Sequence, residues 1–341
     1  RRKPPLRKIW PSDGWFGGWL VKNAIIFVIL VAAAAYGGTK WHMHNKVGNS
    51  VDIAILMMSP FAEVTYEGVS STLSGELTVD GVRVRLDGFN DELLIDRIGI
   101  DTPSFLSLLK LTDITENPLA AVGDMPRYFG FIAEGIHLPA NADYYHEFYN
   151  LGLEEMGVED GHDPGAECVG KYGFSPRALA GLGYSEQVVS ASLIFRQDGS
   201  RFVVDIDSSA DDMWDAGIEM TLAGDMITEF SKGSRARPRM ANLRVEYNDH
   251  SLRDRVRRYC SSLGLSDEEI FAAQMDAFHY MGEMNGIEFD EYMIEPFEDF
   301  LRGKSTLVIT AKPSEPVSLS QIKLYKPSDV PALLDLTAQA M

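Results

Sequence analysis

The chain has 341 residues, which is enough for one large or two ordinary domains with a substantial core. Its net charge is −19, and the charge is unevenly distributed, because residues 1–22 carry six basic side chains against Asp13 alone and the remainder therefore holds −24. A body this acidic repels phosphate groups, so nucleic acid is excluded as a partner.

The N-terminal part of the chain predicts a membrane anchor. Residues 1–18 form a basic and aromatic tail, and within residues 19–41 the run from Ala24 to Gly38 carries no charge. Residues 19–41 would be about 34 Å long as a helix, sufficient to cross the hydrocarbon core of a bilayer. Basic residues on one side and an acidic body on the other follow the positive-inside rule. The residues assigned to the anchor are Trp19, Ala24, Ile25, Ile26, Phe27, Val28, Ile29, Leu30, Val31, Tyr36 and Trp41.

A cleaved signal peptide is the alternative interpretation of the same segment. The run "AAAAYGG" offers small residues of the kind found at cleavage sites. The basic stretch before the apolar run is long and aromatic, however, unlike a short signal-peptide n-region. We therefore expect an uncleaved signal-anchor.

Residues 48–139 are predicted to form a first β module. The stretches "AEVTYEGV" and "GELTVDGVRVRL" alternate apolar and polar residues, which is typical of strands. Asp80-Gly81 indicates a hairpin turn between two of them. A further strand ends at Pro103, the run "SFLSLLKL" predicts a short helix, and "YFGFIAEGIHLP" predicts the last strand of the module.

Residues 140–187 are predicted to be an insertion of loops and helix between two β modules. Within it, Ser175 is a helix N-cap, Pro176 occupies the first helical position and Gly181 lies near the helix end. Residues 188–250 then form the second β module, with a hairpin at Asp198-Gly199.

Residues 251–302 are predicted to be a helical block. Ser266 and Glu269 have the spacing of a capping box, and Gly303 marks the end of the last helix. Residues 303–341 then predict a strand followed by a terminal helix over "VPALLDLTAQA".

The layout resembles the AsmA-like and YdgA-like proteins of Gram-negative envelopes. The resemblance is carried by "GVSSTLSGELTVDGVRVRL" and "IDRIGIDTPSFLSLL" near the anchor and by "LVITAKPSEPVSLSQIKL" near the end, about a quarter of the chain. It implies envelope maintenance or lipid handling through a sheet with an apolar concave face. The fold class expected is therefore α+β, with an N-terminal transmembrane helix followed by a β-rich periplasmic body that contains a helical insertion.

Four groups of residues contain side chains of the kind that bind metals or transfer protons, and each is better explained without such a site. The His42 and His44 pair has no further ligand nearby in sequence, so a polar exit from the membrane is favoured over a metal site. The stretch "DGHDPG", with Asp160, His162 and Asp163, has the composition of an exposed turn.

The acidic stretch "DIDSSADDMWD" at residues 205–215 fails the calcium-loop pattern, because no glycine stands at its sixth position and Ala216 replaces the final Glu. Asp205 and Asp207 are expected on the solvent face of a strand instead. His279 lies among aromatic residues, where packing is the simpler role. No catalytic motif, metal site or cofactor site is predicted.

The two cysteines, Cys168 and Cys260, both fall in the part assigned to the far side of the membrane, where paired thiols oxidise. We expect a disulfide between them that closes a loop of roughly 90 residues and stabilises the fold by about 4 kcal/mol in the chain-entropy model. Two buried free thiols are the alternative.

The function expected from the sequence is binding without catalysis. The protein is predicted to be anchored in the inner (cytoplasmic) membrane, with its N-terminus cytoplasmic and its large domain periplasmic. Its expected partners are the bilayer, other membrane protein subunits and a lipid. An accessory scaffold subunit of a larger membrane complex is the alternative hypothesis, and a periplasmic hydrolase is a third hypothesis.

Overall fold

The computed structural model describes residues 59–116, 126–155, 164–225, 238–284, 287–322 and 324–341, together with residues 48, 51, 52, 55 and 56. The predicted tail at 1–18 and the predicted anchor at 19–41 lie outside the described residues. Among the helices that are described, none has the length and apolar character needed to cross a membrane.

The described residues form one antiparallel sheet of twelve strands. From β3 to β10 the strands follow one another in chain order, so each pairs with its sequence neighbours, and β12 closes the side beyond β10. At the other side, β1 and β2 pair with successive halves of β3. The strands are β1 (Ala62–Thr65), β2 (Gly68–Ser71), β3 (Glu76–Leu86), β4 (Leu93–Asp101), β5 (Tyr128–Pro139), β6 (Glu186–Asp198), β7 (Arg201–Ala210), β8 (Trp214–Ala223), β9 (Arg239–Asp249), β10 (Thr306–Ala311), β11 (Val317–Ser318) and β12 (Leu336–Ala340).

Helices occupy the long connections of this sheet. Three of them lie between β5 and β6, and three more lie between β9 and β10. The helices are α1 (Phe105–Glu116), α2 (Asp143–Glu155), α3 (Pro164–Val169), α4 (Pro176–Leu182), α5 (Leu252–Ser262), α6 (Asp267–Met284), α7 (Glu291–Leu301), α8 (Leu319–Ile322) and α9 (Val330–Leu334), with a 3-10 turn at Pro327–Asp329.

The predicted fold class, a transmembrane helix followed by a β-rich body with a helical insertion, is wrong. Strand β5, which ends the first predicted module, pairs along its length with β6, which begins the second. The strands of both modules therefore belong to one continuous sheet, and no described helix spans a membrane. Strand periodicity reports which residues alternate but not which strands pair, so it cannot distinguish one sheet from two.

Two hydrophobic clusters hold helices against one face of the sheet. In the first, Leu179 and Cys260 from the helices pack with Ala210 and Met213 at one end of the strands. In the second, Met293 of α7 and Val330 of α9 pack with Leu222 and other residues near the opposite strand ends. Both clusters use side chains that alternate with polar neighbours along each strand, as expected for a sheet with one packed face.

Two local predictions are wrong. Asp80-Gly81 is not a hairpin turn, because both residues lie inside β3 and Asp80 remains paired with Arg97 of β4. Gly81 has a φ of +63°, a left-handed conformation that kinks the strand without ending it. The predicted terminal helix is only the five residues of α9, after which Asp335 at φ +47° turns the chain into β12.

Candidate binding surface

The two faces of the sheet differ in character, because side chains alternate between them along each strand. On one face the register places Ser192 of β6 opposite Asp207 of β7, which in turn is opposite Gly217 of β8 and then Glu246 of β9. Adjacent residues on these strands, such as Ile206 and Ile218, point to the other face and pair with each other. We call the face that carries Ser192, Asp207 and Glu246 the polar face, and the face that carries Ile206 and Ile218 the apolar face.

The polar face forms an open concavity of about 680 Å³ across β5 to β9. Six carboxylate residues line it against two arginines, Arg196 and Arg244, so its lining is acidic. The small residues Ser190 and Gly217 contribute to its floor. The carboxylate residues are Glu134, Asp205, Asp207, Asp215, Glu219 and Glu246.

Polar contacts between neighbouring strands, and one within β9, order this concavity. Arg196 donates to Asp205 Oδ2 at 2.6 Å, and Arg244 donates to Glu246 Oε2 at 2.5 Å. Asp215 accepts from Asn248 Nδ2 at 2.7 Å. Each arginine is thus paired with one carboxylate, and the remaining carboxylates give the lining a net negative charge.

At the margin of the polar face, Tyr128 donates to Asp101 Oδ2 at 2.8 Å. Burial raises the pKa of the Tyr128 phenol, and the hydrogen bond to the carboxylate raises it further. The hydroxyl therefore stays protonated at neutral pH and acts as a hydrogen-bond donor.

The apolar face carries a continuous line of apolar side chains in register. It consists of one residue from each of β5 to β10, and we call it the apolar row: Phe131, Leu193, Ile206, Ile218, Val245 and Ile309. Phe131 is 39% exposed and Ile218 is 36% exposed. The other four are partly buried, and six contiguous apolar side chains of which none is fully covered form a patch of the kind typical of an interaction site.

Rings pack beside the apolar row. Phe195 lies between Phe129, at a centroid distance of 6.4 Å, and Phe202, at 5.7 Å, with the planes nearly parallel in both cases. Phe202 packs against the second hydrophobic cluster, and so does Ile309 at the β10 end of the row. The row is therefore bordered by the core on that side and partly open in the middle.

Cys168 of α3 and Cys260 of α5 form a disulfide, the pairing expected from the sequence. Their Cα atoms are 5.4 Å apart, 92 residues separate them in the chain, and neither has any exposed surface. The bond lies inside the first hydrophobic cluster and ties the segment between β5 and β6 to the segment between β9 and β10.

The stretch at 205–215 forms the end of β7, the turn and the start of β8. Asp205 and Asp207 lie on the polar face, as expected for the solvent side of a strand, whereas Asp212 lies in the turn and accepts from Arg255 at 2.7 Å. Within the described part of the chain, no group of three or more acidic, His or Cys side chains is placed to hold a metal ion.

His279 of α6 is exposed, and its ring centroid lies 6.0 Å from that of the adjacent Phe278, so burial does not support the predicted packing role. The other candidates, His42 with His44 and Asp160 with His162 and Asp163, lie outside the described residues, as do all the residues assigned to the anchor.

Neither the concavity nor the apolar row was predicted from the sequence. The apolar row draws one residue and the concavity three to five residues from every strand between β5 and β9, and those strands span more than a hundred positions of the chain. The resemblance implied an apolar concave face, whereas the concavity lies on the polar face. The pairing register alone brings these residues together, and the alternation of residues within a single strand does not reveal that register.

Residues 207–341 match the model of a family described as "Uncharacterized protein". The match runs from the second half of β7 to the end of β12, so it covers part of the polar face and part of the apolar row. No curated protein matches the chain.

Proposed function

We propose that this protein acts by binding rather than by catalysis, in an oxidising compartment such as the periplasm, and that it handles a ligand with a long apolar chain, such as a lipid. The observation that carries the proposal is the apolar row. It crosses six strands, about 24 Å at the usual strand spacing. That exceeds the roughly 15 Å depth of one leaflet of a bilayer's hydrocarbon core, so one acyl chain fits along it.

The disulfide supports the assignment to an oxidising compartment. Buried disulfides persist where the surroundings are oxidising and are rare in the reducing cytosol. The resemblance to AsmA-like and YdgA-like envelope proteins points in the same direction, towards envelope maintenance or lipid handling. Cell fractionation tests this part, and a cytoplasmic distribution would contradict it.

The ligand is tested by extracting the full chain in mild detergent and identifying bound molecules by native mass spectrometry. Purified protein is then titrated with a fluorescent fatty acid. Ile218→Asn places a polar amide in the apolar row, and we expect it to weaken probe binding at least tenfold. Glu219→Gln is the matched control, because Glu219 is the next residue on β8 and, opposite Asp205 of β7, points to the polar face.

The wild-type protein should carry lipid and bind the probe, and the control should bind as the wild type does. Absence of both bound lipid and probe binding would contradict the proposal. Equal binding by Ile218→Asn and wild type would also contradict it, because the apolar row would then not be the site.

A second candidate is an accessory scaffold subunit of a larger membrane complex. The broad polar face favours it, because an open acidic surface of this size suits contact with a complementary protein surface. The same mild extraction distinguishes the two candidates. Stoichiometric co-purification of membrane proteins supports the scaffold, and recovery of a lone monomer with bound lipid contradicts it.

A further inference from the structure

The hydroxyl group of Tyr144, in the first turn of α2, is buried without a hydrogen bond. The residue is 4% exposed, and its hydroxyl oxygen has no hydrogen-bond partner among the described residues. The next residue differs, because the Tyr145 hydroxyl donates to Phe174 O at 3.0 Å. Nearly all buried polar groups in native proteins have a partner, so an exception of this kind needs an explanation.

Two carboxylates lie beside Tyr144 at the start of α2. Asp91, in the loop between β3 and β4, accepts from Asp143 N at 2.6 Å, which fixes it to the residue before Tyr144. Glu186, the first residue of β6, is opposite Pro139, where β5 ends shortly before α2 begins. Burial raises the pKa of the Tyr144 phenol, and the charges of Asp91 and Glu186 raise it further, as expected for carboxylates close to the ring.

Each of these three side chains has an oxygen atom that the described contacts do not use. Asp91 accepts from Asp143 N through Oδ2, and Glu186 contacts Nδ1 of His137 through Oε1 at 3.2 Å. The other oxygens are Asp91 Oδ1, Glu186 Oε2 and Tyr144 Oη. Three acceptors with two negative charges match a primary ammonium group, which carries one positive charge and three N–H donors.

Aromatic rings border this cluster. The ring centroids of Tyr144 and Phe148 are 6.5 Å apart, and Phe89 lies 6.3 Å from Phe148. Phe148 is 54% exposed, and exposed side chains change rotamer readily. The rings suit an alkyl chain attached to the ammonium, and the face of an aromatic ring also attracts a cation.

We propose that Tyr144, Asp91 and Glu186 bind the primary ammonium group of an alkylamine, with its alkyl chain against Phe148 and Phe89. The ammonium enters when the exposed Phe148 ring changes rotamer, and it donates one N–H to the Tyr144 hydroxyl and one to each carboxylate. The source is a free alkylamine or the ethanolamine headgroup of a phospholipid, since both present the same group. The site shares no residue with the apolar row and does not rest on lipid binding there.

The proposal is tested by calorimetric titration of the full chain with n-butylammonium at pH 7. Tetramethylammonium is the control ligand, because it has the same charge and no N–H donor. Tyr144→Phe removes only the hydroxyl. Tyr145→Phe is the matched control, because it removes a paired hydroxyl from the next residue of the same helix. Co-sedimentation with vesicles of phosphatidylethanolamine or phosphatidylcholine then distinguishes the two sources of the amine.

We expect butylammonium to bind and tetramethylammonium to bind at least tenfold more weakly. Tyr144→Phe should lose at least tenfold in affinity for butylammonium, with Tyr145→Phe unchanged. Without the amine, Tyr144→Phe should unfold at the wild-type midpoint temperature or above it, because it removes an unpaired buried group, whereas Tyr145→Phe should unfold at a lower one. A preference for phosphatidylethanolamine that Tyr144→Phe abolishes would assign the amine to a lipid, and butylammonium binding without that preference would assign it to a free alkylamine.

Three results would overturn the proposal. Failure of butylammonium to bind would show that the cluster holds no amine. Equal binding of the two cations would show that the N–H donors are not recognised. A lower unfolding midpoint for Tyr144→Phe without the amine would show that the hydroxyl is already paired within the folded protein.

Discussion

At the scale of single residues, the disulfide has the largest calculable effect on stability. Cys168 and Cys260 are fully buried in the first hydrophobic cluster, and the bond closes a long loop of the unfolded chain. Loss of a native disulfide typically costs about 2–5 kcal/mol.

We expect Cys168→Ser and Cys260→Ser each to lower the free energy of unfolding by an amount in that range. The double variant should cost little more than either single one, because the same bond is lost in all three. Denaturant titration measures the effect, and thiol labelling of the denatured, unreduced wild type checks the bond directly. Two reactive thiols per chain would refute it.

A second residue-scale prediction concerns pH. The side chain of Asp249 is only 5% exposed, and burial raises the pKa of its carboxyl despite the hydrogen bond from Arg253 N at 3.0 Å. A carboxyl whose folded pKa lies above its unfolded pKa binds protons more readily when folded. Its contribution to stability therefore falls as pH rises through the interval between the two values.

The stability of Asp249→Asn relative to wild type should accordingly rise between pH 3 and pH 7, since asparagine has no charge to bury. Arg253 keeps a partner in the variant, because its Nη1 donates to Phe300 O at 2.7 Å. Urea unfolding of both proteins across that range provides the measurement. A relative stability that falls with rising pH would show that the charged carboxylate is net stabilising.

At the scale of elements, helix α4 shows where local signals suffice. Ser175 accepts from Ala178 N at 3.0 Å as the predicted N-cap, and Pro176 follows as the first helical residue. The helix ends at Leu182, with Gly183 as its C-cap at φ +88°, so Gly181 lies near the helix end as predicted. Position 181 requires glycine, because an added Cβ would stand 2.1 Å from Cε2 of Tyr259.

Gly181→Ala should therefore destabilise the protein by about 1–3 kcal/mol through overpacking, although alanine is the better helix former. Gly68→Ala is the control, because a Cβ there meets nothing within 4 Å. Thermal unfolding measures both. Adding Tyr259→Leu to Gly181→Ala should recover part of the loss, and a stable single variant would contradict the predicted clash.

The capping box of α6 is a second local success. Ser266 N donates to Glu269 Oε2 at 2.8 Å, and Glu269 N donates to Ser266 Oγ at 3.3 Å, so the reciprocal contacts predicted from the spacing are present. The hydrogen bonds from Ser266 lower the pKa of Glu269. Asp198-Gly199 likewise connects β6 to β7, whereas the identical Asp-Gly signal at 80–81 does not make a turn. The strands that pair on either side of the Asp-Gly dipeptide, and not the dipeptide itself, decide whether the chain turns there or continues as one strand.

At the scale of the whole molecule, the dominant electrostatic feature is excess negative charge. The polar face gathers six carboxylate residues around two arginines. Asp207 is exposed and accepts only from Ser192 Oγ at 3.3 Å among the contacts described, whereas Asp205 is paired with Arg196.

Asp207→Asn should raise the midpoint of thermal unfolding at low ionic strength, because it relieves repulsion across the concavity, and the gain should shrink in 0.5 M sodium chloride as screening increases. Asp205→Asn is the matched control on the same strand and should lower the midpoint, since it breaks the pair with Arg196. A gain from Asp207→Asn that is independent of salt would contradict the electrostatic explanation.

The sequence by itself determined the local and compositional properties of this protein. Strand periodicity, the caps at Ser175 and Ser266, the pairing of Cys168 with Cys260 and the acidic body all follow from residues close in sequence or from counting. Tertiary structure alone decided that β5 pairs with β6 across an insertion, that twelve strands form one sheet and that β12 is a strand at its edge. The physical reason is that register and strand order depend on contacts between distant segments, and the apolar row and the polar concavity exist only once those contacts form.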